Sequence, residues 1–235
     1  VGNCWAEMTD TDKHRPIRSY VLRTGRMTPG QQRAFDDNWQ CFGLEHANGP
    51  PNFEQEFGRL APRVLEIGFG MGQSLVEMAA AAPETDFIGI EVHKPGVGRL
   101  LHSMNEQSVD NIRVYCHDAV EILRDCIADE SLDKVQIFFP DPWHKKRHNK
   151  RRLIQRAFIA GLIQKLKPAG TLHLATDWEN YAQQMMEVLS AESGLSNTRA
   201  LGEYAPRPDY RPLTKFELRG ERLGHGVWDL LFTRC

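Results

Sequence analysis

Short apolar runs alternate with amphipathic stretches through most of the chain. The apolar runs predict strands at residues 64–67, 87–91, 112–116, 135–139 and 171–175. The stretches after them repeat apolar residues at the helical period and predict helices at residues 73–82, 95–107, 119–127, 152–166 and 178–189. Strands that are apolar on both faces and alternate with helices are typical of a mostly parallel sheet with helices on both faces.

The sequence predicts one element before this alternation and one after it. Thr28 is a helix N-cap followed by a proline, and this pair predicts a helix at 28–39. The apolar run 226–233 predicts a last strand with no helix after it, which is typical of an antiparallel strand added to a parallel sheet. We expect residues 28–235 to form a single domain. Residues 1–27 are polar and irregular and contain five Lys and Arg residues, so we expect a flexible basic extension.

The composition is that of an ordinary globular protein. Of 235 residues, 41% are hydrophobic and 26% are charged, and the net charge is −2. No apolar run approaches the roughly 20 residues that span a bilayer, so we expect no membrane partner. The five cysteines are scattered and form no C-x-x-C pair, which argues against a disulfide framework or a metal site and predicts a cytoplasmic protein.

A glycine-rich loop follows the first strand of the alternation. Gly68, Gly70 and Gly72 lie between this strand and the next helix, and ligands in such sheets bind beyond the carboxyl ends of the strands. The spacing puts Gln73 where a dinucleotide-binding loop has its third glycine, which disfavours a nicotinamide dehydrogenase. Glu66 would repel a pyrophosphate, but its charge suits a cationic ligand such as an aminoacyl sulfonium.

Two more acidic residues stand at strand ends. Glu91 closes the second strand, where a carboxylate can accept hydrogen bonds from the hydroxyls of a ribose. Asp118 follows the third strand and could accept a hydrogen bond from an adenine amino group, or it could be an ordinary helix N-cap. Together with the glycine loop, these acids describe a site for S-adenosylmethionine.

A dense basic run follows the fourth strand. Asp141 and Trp143 lie in a Pro-Asp-Pro-Trp turn, and no acidic residue occurs between Asp141 and Asp177. The interval holds nine cations, which are Lys145, Lys146, Arg147, Lys150, Arg151, Arg152, Arg156, Lys165 and Lys167. Their charge could belong to a solvated helix face, but cations at the start of a helix oppose its dipole. The run therefore favours a nucleic-acid partner beside a reactive site.

These motifs occur in an order that resembles one known family. The segments E-I-G-F-G-M-G, I-G-I-E, H-D-A, F-F-P-D-P-W-H-K-K-R-H-N-K-R-R, A-T-D and R-P-x-T-K-F-E follow one another along the chain. This set resembles the bacterial tRNA (guanine-N7-)-methyltransferase family. The resemblance implies a seven-stranded class I (Rossmann-like) methyltransferase fold with an antiparallel C-terminal strand. It also implies S-adenosylmethionine as methyl donor without a metal, and a guanine at position 46 of the tRNA variable loop as acceptor.

The resemblance further implies roles for individual residues. It makes Asp141 the catalytic residue. The cofactor contacts would be Glu66, Gly68, Gly70, Gly72, Glu91, Asp118 and Asp141. The substrate contacts would be Lys145, Asp177, Thr214, Lys215, Phe216 and Glu217. The RNA contacts would be Arg147, His148, Asn149, Lys150, Arg151 and Arg152.

The chemistry leaves several roles open. Guanine N7 attacks with a lone pair that carries no proton, so methyl transfer to it needs no general base. Asp141 could stabilise the charge that develops on the purine, accept hydrogen bonds from guanine N1–H and N2–H, or simply end a strand in a Pro-Asp-Pro turn. Trp143 could stack on an unpaired base or pack inside the protein. For His144 and His148, contacts with phosphate or solvent fit better than acid–base catalysis.

Other functions fit parts of the pattern. A methyltransferase that acts on an amine of a small molecule or protein would leave the basic run unused. A non-catalytic RNA-binding module would leave the glycine loop and Glu91 unused. We favour an RNA base methyltransferase, because it uses both features, and expect a monomer or a weak homodimer.

Overall fold

The computed structural model describes residues 18–20, 25–214, 217 and 226–235. Within them, helices α1 to α7 span Pro29–Phe42, Phe53–Phe57, Gln73–Ala81, Lys94–Gln107, Ala119–Asp125, Arg156–Lys165 and Glu179–Ser190. Strands β1 to β8 span Gly43–Leu44, Arg63–Ile67, Asp86–Ile90, Ile112–Tyr115, Leu132–Phe138, Leu166–Thr176, Leu195–Asn197 and Trp228–Arg234. Most of the predicted N-terminal extension, and Lys215 and Phe216 of the predicted substrate segment, lie outside the described residues.

The strands form one sheet in the order β1-β4-β3-β2-β5-β6-β8-β7. Neighbouring strands from β1 through β6 pair in parallel, whereas β8 runs antiparallel to both β6 and β7. This arrangement confirms the predicted fold, with a mostly parallel sheet and an antiparallel C-terminal strand. The described sheet has eight strands rather than seven, because Gly43–Leu44 adds a two-residue edge strand beside β4.

One predicted helix begins in the wrong place. The sequence predicts a helix at 152–166, but α6 begins at Arg156, with Gln155 as its N-cap. Residues Lys146–Arg151 form a 3₁₀ helix instead, and Arg152 has an extended backbone. Arg156 lies in the first turn of α6, so the unfavourable interaction with the helix dipole applies to it. The cations of residues 145–152 precede the helix and are not subject to it in the same way.

Two apolar cores cover the two faces of the sheet. Successive residues of a strand point to opposite faces, so Leu65 is buried in one core and Val64 in the other. Helices α5, α6 and α7 contribute to the core that holds Leu65, and α1, α3 and α4 contribute to the core that holds Val64. Because both faces of the central strands are covered, the strand ends are the places where polar side chains can meet a ligand.

The first turn of α4 packs directly against the glycine loop, residues 68–72. A Cβ atom at Gly96 would overlap the carbonyl oxygen of Gly70, so the two backbones lie too close to admit a side chain. Gly72 has a φ of 76°, and a Cβ atom there would overlap Leu100 of the same helix. Contact with α4 therefore shapes the loop that leads into α3.

We expect Gly96→Ala to lower the free energy of unfolding by about 1–3 kcal/mol, because overpacking forces a backbone shift. Gly30→Ala is the matched control, since Gly30 also follows a proline in the first turn of a helix. The atom nearest to a Cβ there is 4.0 Å away. The better helix propensity of alanine should make the control neutral or up to about 1 kcal/mol more stable. Urea unfolding measures both, and equal effects of the two changes would contradict the close packing.

Candidate active site

A cavity of about 210 Å³ opens at the carboxyl ends of the central strands. Its lining includes Gly68, Glu91, Asp118 and Asp141, which follow β2, β3, β4 and β5 respectively. Because β4, β3, β2 and β5 are parallel neighbours, their carboxyl ends meet at one edge of the sheet. The structure thus brings four residues that the sequence predicts for one site into one cavity.

The glycine loop presents bare backbone to this cavity at Gly68, whereas Gly70 and Gly72 are not part of the cavity lining. Gly68 and Gly70 have φ values of 77° and 60°, in the left-handed region where side chains are strained. A Cβ atom at either position would have no other atom within 4 Å, so both glycines border open space. The Gly68 amide donates to the carbonyl oxygen of Ile90 at 2.8 Å, which fixes the loop to the end of β3. The loop therefore leaves space for a bulky ligand, and the hydrogen bond to Ile90 holds its first residue in place.

Glu91 holds three backbone amides at the edge of the cavity. Its Oε2 accepts a hydrogen bond from Gly70 N at 2.8 Å. Its Oε1 accepts from Val92 N at 2.7 Å and from His93 N at 2.9 Å. An ionised carboxylate offers about four acceptor positions, so about one remains for a ligand. Glu91 thus organises the glycine loop and can also contact a ribose, with room for about one hydroxyl.

Glu66 lies inside the protein and is not part of the cavity lining. Its side chain is 3% exposed, and its Oε2 accepts a hydrogen bond from Gln136 Nε2 at 3.1 Å. Burial raises the pKa of Glu66 to about 7, and the negative charge of Glu91 adds to the rise. The hydrogen bond from Gln136 acts in the opposite direction. The fold therefore favours the neutral form of Glu66, and a positive charge nearby would favour its ionised form.

Asp118 has the N-cap role that the sequence allowed, and its position leaves the proposed contact with an adenine amino group possible. It is the N-cap of α5, where its Oδ1 accepts a hydrogen bond from Val120 N at 2.8 Å, and it also lines the cavity. Tyr20 lines the same cavity. Burial, followed by the charge of Asp118, raises the pKa of Tyr20 to about 12. Sequence reasoning missed Tyr20, because its contact with the cavity is formed by a segment remote in the chain.

Asp141 is exposed, in a turn whose backbone is constrained on both sides. Phe139 and Trp143 have φ values of 51° and 48°, which are unusual for bulky residues. The Phe139 amide donates to the carbonyl oxygen of Ala175 at 2.8 Å and so continues the pairing of β5 with β6. Strained backbone is concentrated at functional sites. Asp141 is thus held at the cavity rim rather than on a free loop.

Trp143 is partly buried and packs against other parts of the protein. Its Nε1 donates to the carbonyl oxygen of Ser19 at 3.0 Å, and the guanidinium carbon of Arg151 lies 3.9 Å from its ring centre. Arg151 Nε also donates to the carbonyl oxygen of Arg18 at 3.3 Å. Of the two roles that the sequence allowed for Trp143, the packing role is the one observed. These contacts fasten the segment of Ser19 and Tyr20 beside the cavity.

The basic run divides into exposed and buried parts. Lys145, Lys146, Arg147 and Lys150 are exposed, and His148 and Asn149 are partly buried. Because these residues form or adjoin the 3₁₀ helix, their side chains surround one short loop directly after Asp141. This loop could contact several phosphates at once.

Arg152 differs from the rest of the run and is 3% exposed. Its guanidinium donates to the carbonyl oxygen of Pro142 at 2.8 Å, to Asn180 Oδ1 at 2.9 Å and to Gln184 Oε1 at 2.5 Å. It also lies over the ring of Tyr181 at 4.7 Å. The predicted RNA contact is therefore corrected, since Arg152 fastens the turn of Asp141 to α7 and has no free face for phosphate. Its charge alone gave no sign of this, because its side-chain partners Asn180 and Gln184 lie about 30 residues away.

Asp177, Thr214 and Glu217 are the predicted substrate residues that the structure describes outside the basic loop. Asp177 directly follows β6 and is partly buried, so it shares the carboxyl edge of the sheet with Asp141. Thr214 and Glu217 form a closed turn. Thr214 N donates to Glu217 Oε2 at 2.8 Å, and Glu217 N donates to Thr214 Oγ1 at 3.2 Å. Glu217 also pairs with Arg211 and is 2% exposed, so its carboxylate faces the protein interior.

Sequence comparison relates the chain to known methyltransferases. A family model described as "Putative methyltransferase" matches residues 60–230. The tRNA (guanine-N(7)-)-methyltransferase of Ectopseudomonas mendocina is 60% identical over 96% of this chain and 94% of its own length. That of Alcanivorax borkumensis is 61% identical over 94% of this chain and 92% of its own length. The chain belongs to the tRNA (guanine-N(7)-)-methyltransferase family.

Solved methyltransferase structures share the fold of this member of the tRNA (guanine-N(7)-)-methyltransferase family. The 16S rRNA methyltransferase KamB gives a TM-score of 0.58 over 77% of this chain and 92% of that one, at 14% identity. The aminoglycoside resistance methyltransferase NpmB1 gives a TM-score of 0.53 over 82% and 94%, also at 14% identity. At such identities the likeness shows the class I fold alone.

Potential metal ligands are dispersed in the described part of this family member. No group of three or more His, Cys, Asp or Glu residues there could hold a metal ion. None of the helices described above is both long and apolar enough to cross a membrane. Cys41, Cys116, Cys126 and Cys235 carry free thiols.

Glu66 should make the stability of this family member depend on pH. Its pKa rises from 4.5 to about 7 on folding, so the folded protein keeps a proton that the unfolded chain releases. The stability that this proton contributes is present below pH 4.5 and is lost as the pH rises through 7.

Glu66→Gln tests this dependence, because glutamine has a similar shape to glutamate and stays neutral. Its free energy of unfolding should match that of the wild type at about pH 4.5 and exceed it by roughly 3 kcal/mol at about pH 8. Urea unfolding at both pH values measures this, and a variant no more stable at the higher pH would contradict it.

Proposed function

We propose that the protein methylates N7 of the guanine at position 46 of the tRNA variable loop, with S-adenosylmethionine as methyl donor. The observation that carries the proposal is 60% identity over nearly the whole chain to a tRNA (guanine-N(7)-)-methyltransferase. The geometry supports it, because a cavity with acidic groups opens beside an exposed basic loop. We further propose that the enzyme acts in the cytoplasm, where its free thiols stay reduced. A monomer or a weak homodimer stays a prediction.

The cavity residues fit S-adenosylmethionine, which supplies a methyl group on a cationic sulfur. Gly68 and Gly70 border open space and would let the ligand lie against bare backbone. Glu91 would accept a hydrogen bond from a ribose hydroxyl at its remaining acceptor position. Asp118 would accept from the adenine amino group beyond the bond it makes to the start of α5. Glu66, buried close by, would balance the positive charge of the ligand.

Asp141 would act on the guanine without removing a proton. The purine becomes positively charged as N7 is alkylated, and a fixed carboxylate stabilises that charge more than it stabilises the neutral base. The same carboxylate could instead accept hydrogen bonds from guanine N1–H and N2–H and so orient the base. Both roles need a carboxylate at the rim of the cavity, and the constrained turn between Phe139 and Trp143 supports that placement.

The basic loop would hold the tRNA backbone. Lys145, Lys146, Arg147 and Lys150 are exposed directly after the turn of Asp141, so phosphates bound there would bring a nearby base to the carboxylate. His148, Asn149 and Arg151 lie among them and stay in the proposed RNA-contacting set. Arg152 is left out, because its donors are used inside the protein.

The function is tested by incubating the protein with unmodified tRNA transcripts and labelled donor, followed by nucleoside analysis. We expect 7-methylguanosine from a transcript with guanine at position 46. Transcripts with adenine or 7-deazaguanine at that position should give none, because the first lacks the target base and the second has carbon in place of N7. No 7-methylguanosine from any transcript, or equal product from all three, would refute the proposal.

Asp141→Asn removes the charge and keeps the size of the side chain. If the carboxylate stabilises developing charge, kcat on tRNA should fall by about 10²- to 10³-fold, with cofactor affinity changed by less than about tenfold. If it orients guanine, the larger effect should be a raised KM for tRNA. Asp110→Asn, at an exposed position away from the cavity lining, is the matched control. Turnover by Asp141→Asn equal to that of the control would exclude both roles.

A further inference from the structure

A cluster of buried polar side chains lies next to the candidate site, and Glu217 is the one member to which the sequence gave a role. It contains His173, Arg211, Glu217 and Asp229, whose side chains are 0%, 1%, 2% and 3% exposed, together with the partly exposed Tyr210. Burying ion pairs costs desolvation energy, so such a cluster is weak evidence for stability alone. The contacts of its members indicate a role besides stability.

Arg211 is the centre of the cluster. Its Nε and Nη2 donate to the two oxygens of Asp229 on β8, at 2.8 and 2.9 Å. Its Nη2 also lies 2.7 Å from Oε1 of Glu217. Asp229 is held in turn by His173 Nε2 at 2.7 Å, and the Tyr210 hydroxyl lies 2.8 Å from His173 Nδ1. Arg211 thus connects the last strand of the sheet to the turn of the predicted substrate segment.

Glu217 is engaged at both oxygens. Oε1 pairs with Arg211, and Oε2 accepts a hydrogen bond from Thr214 N. The carboxylate is therefore turned inward, where it holds the backbone of Thr214. Thr214 Oγ1 accepts from Glu217 N, and in the hydrogen bonds of this turn its own hydroxyl proton is not used. Thr214 is partly exposed whereas Glu217 is 2% exposed, so Thr214 is the accessible member of the pair.

Arg211 also supports the strand that carries Asp141. Its guanidinium carbon lies 5.8 Å from the ring centre of Phe138 and 5.7 Å from that of Phe139. Phe139 is the residue whose φ of 51° begins the constrained turn. The rings of Phe138 and His173 meet edge to face at 4.9 Å, so a second member of the cluster supports the same strand end.

We propose that Arg211 is a positioning residue for methyl transfer, because it fixes Thr214 relative to the turn that carries Asp141. One guanidinium touches both parts, so it sets the separation of two groups that would contact the same guanine. Lysine cannot replace it, since an ammonium group lacks the planar fork that spans Asp229 and reaches Glu217. This inference rests on the proposed function.

Arg211→Lys tests the role. We expect kcat/KM for tRNA to fall by about 10- to 100-fold, since a misplacement of about 1 Å can have an effect of this size. Cofactor affinity, measured by calorimetry, should stay within about threefold, because Arg211 does not line the cavity. The matched control is Arg234→Lys. Arg234 lies on strand β8, which also carries Asp229, the partner of Arg211. It pairs with Glu130 at 2.8 Å and lies outside the cavity lining.

Glu217→Gln provides a second variant in case Arg211→Lys does not fold. It keeps an oxygen for Thr214 N but loses the ion pair, so it should show the same selective loss on tRNA. A purely structural cluster would instead lower the Tm of each variant and leave kcat/KM of the folded protein near that of Arg234→Lys. That result, or a parallel loss of cofactor binding, would overturn the positioning role. A wild-type protein that does not methylate tRNA would refute the proposed function instead.

Discussion

The parallel pairing of β4, β3, β2, β5 and β6 is the constraint on which the candidate site depends. Parallel strands all end at the same edge, so residues far apart in sequence become neighbours there without a dedicated loop to join them. Gly68, Glu91, Asp118, Asp141 and Asp177 each follow the end of one of these strands. A slip of one strand by one residue would turn its buried side chains to the other face. The apolar cores that fix the register therefore also fix the site.

Two carboxyl groups near this edge, those of Glu91 and Glu66, have different surroundings. Glu91 accepts three backbone N–H groups and so needs no cation to remain in place. Glu66 has a hydrogen bond from Gln136 and a raised pKa, because burial and the nearby charge of Glu91 both disfavour its ionised form. A cationic ligand would relieve that second cost. We infer that Glu91 holds the glycine loop in place by its three hydrogen bonds. A cationic ligand would instead favour the ionised form of Glu66.

The elements and the cavity could be predicted from sequence because they follow from local patterns. Apolar runs mark the strands, and the acids directly after them, such as Glu91 and Asp118, must meet at one edge. The two-residue strand β1 and the three-residue strand β7 are too short to give a pattern. The burial of Arg152 and Arg211 could not be predicted either, because a charged residue is buried by distant partners. The same tertiary contacts of Arg152 explain why α6 begins later than its sequence predicts.

Two buried arginines hold the turn of Asp141, one through residues before Asp141 and the other through the residue after it. Arg152 binds the carbonyl oxygen of Pro142 and joins the turn to α7. Arg211 packs against Phe138 and Phe139 and joins the preceding strand end to β8. A left-handed φ at a phenylalanine persists only where its surroundings determine it, and these two anchors provide such surroundings. The side chains that hold the turn, Arg152 and Arg211, are therefore different from the exposed cations Lys145, Lys146, Arg147 and Lys150. Under the proposed function, those cations would exchange solvent for phosphate while the carboxylate of Asp141 stays fixed.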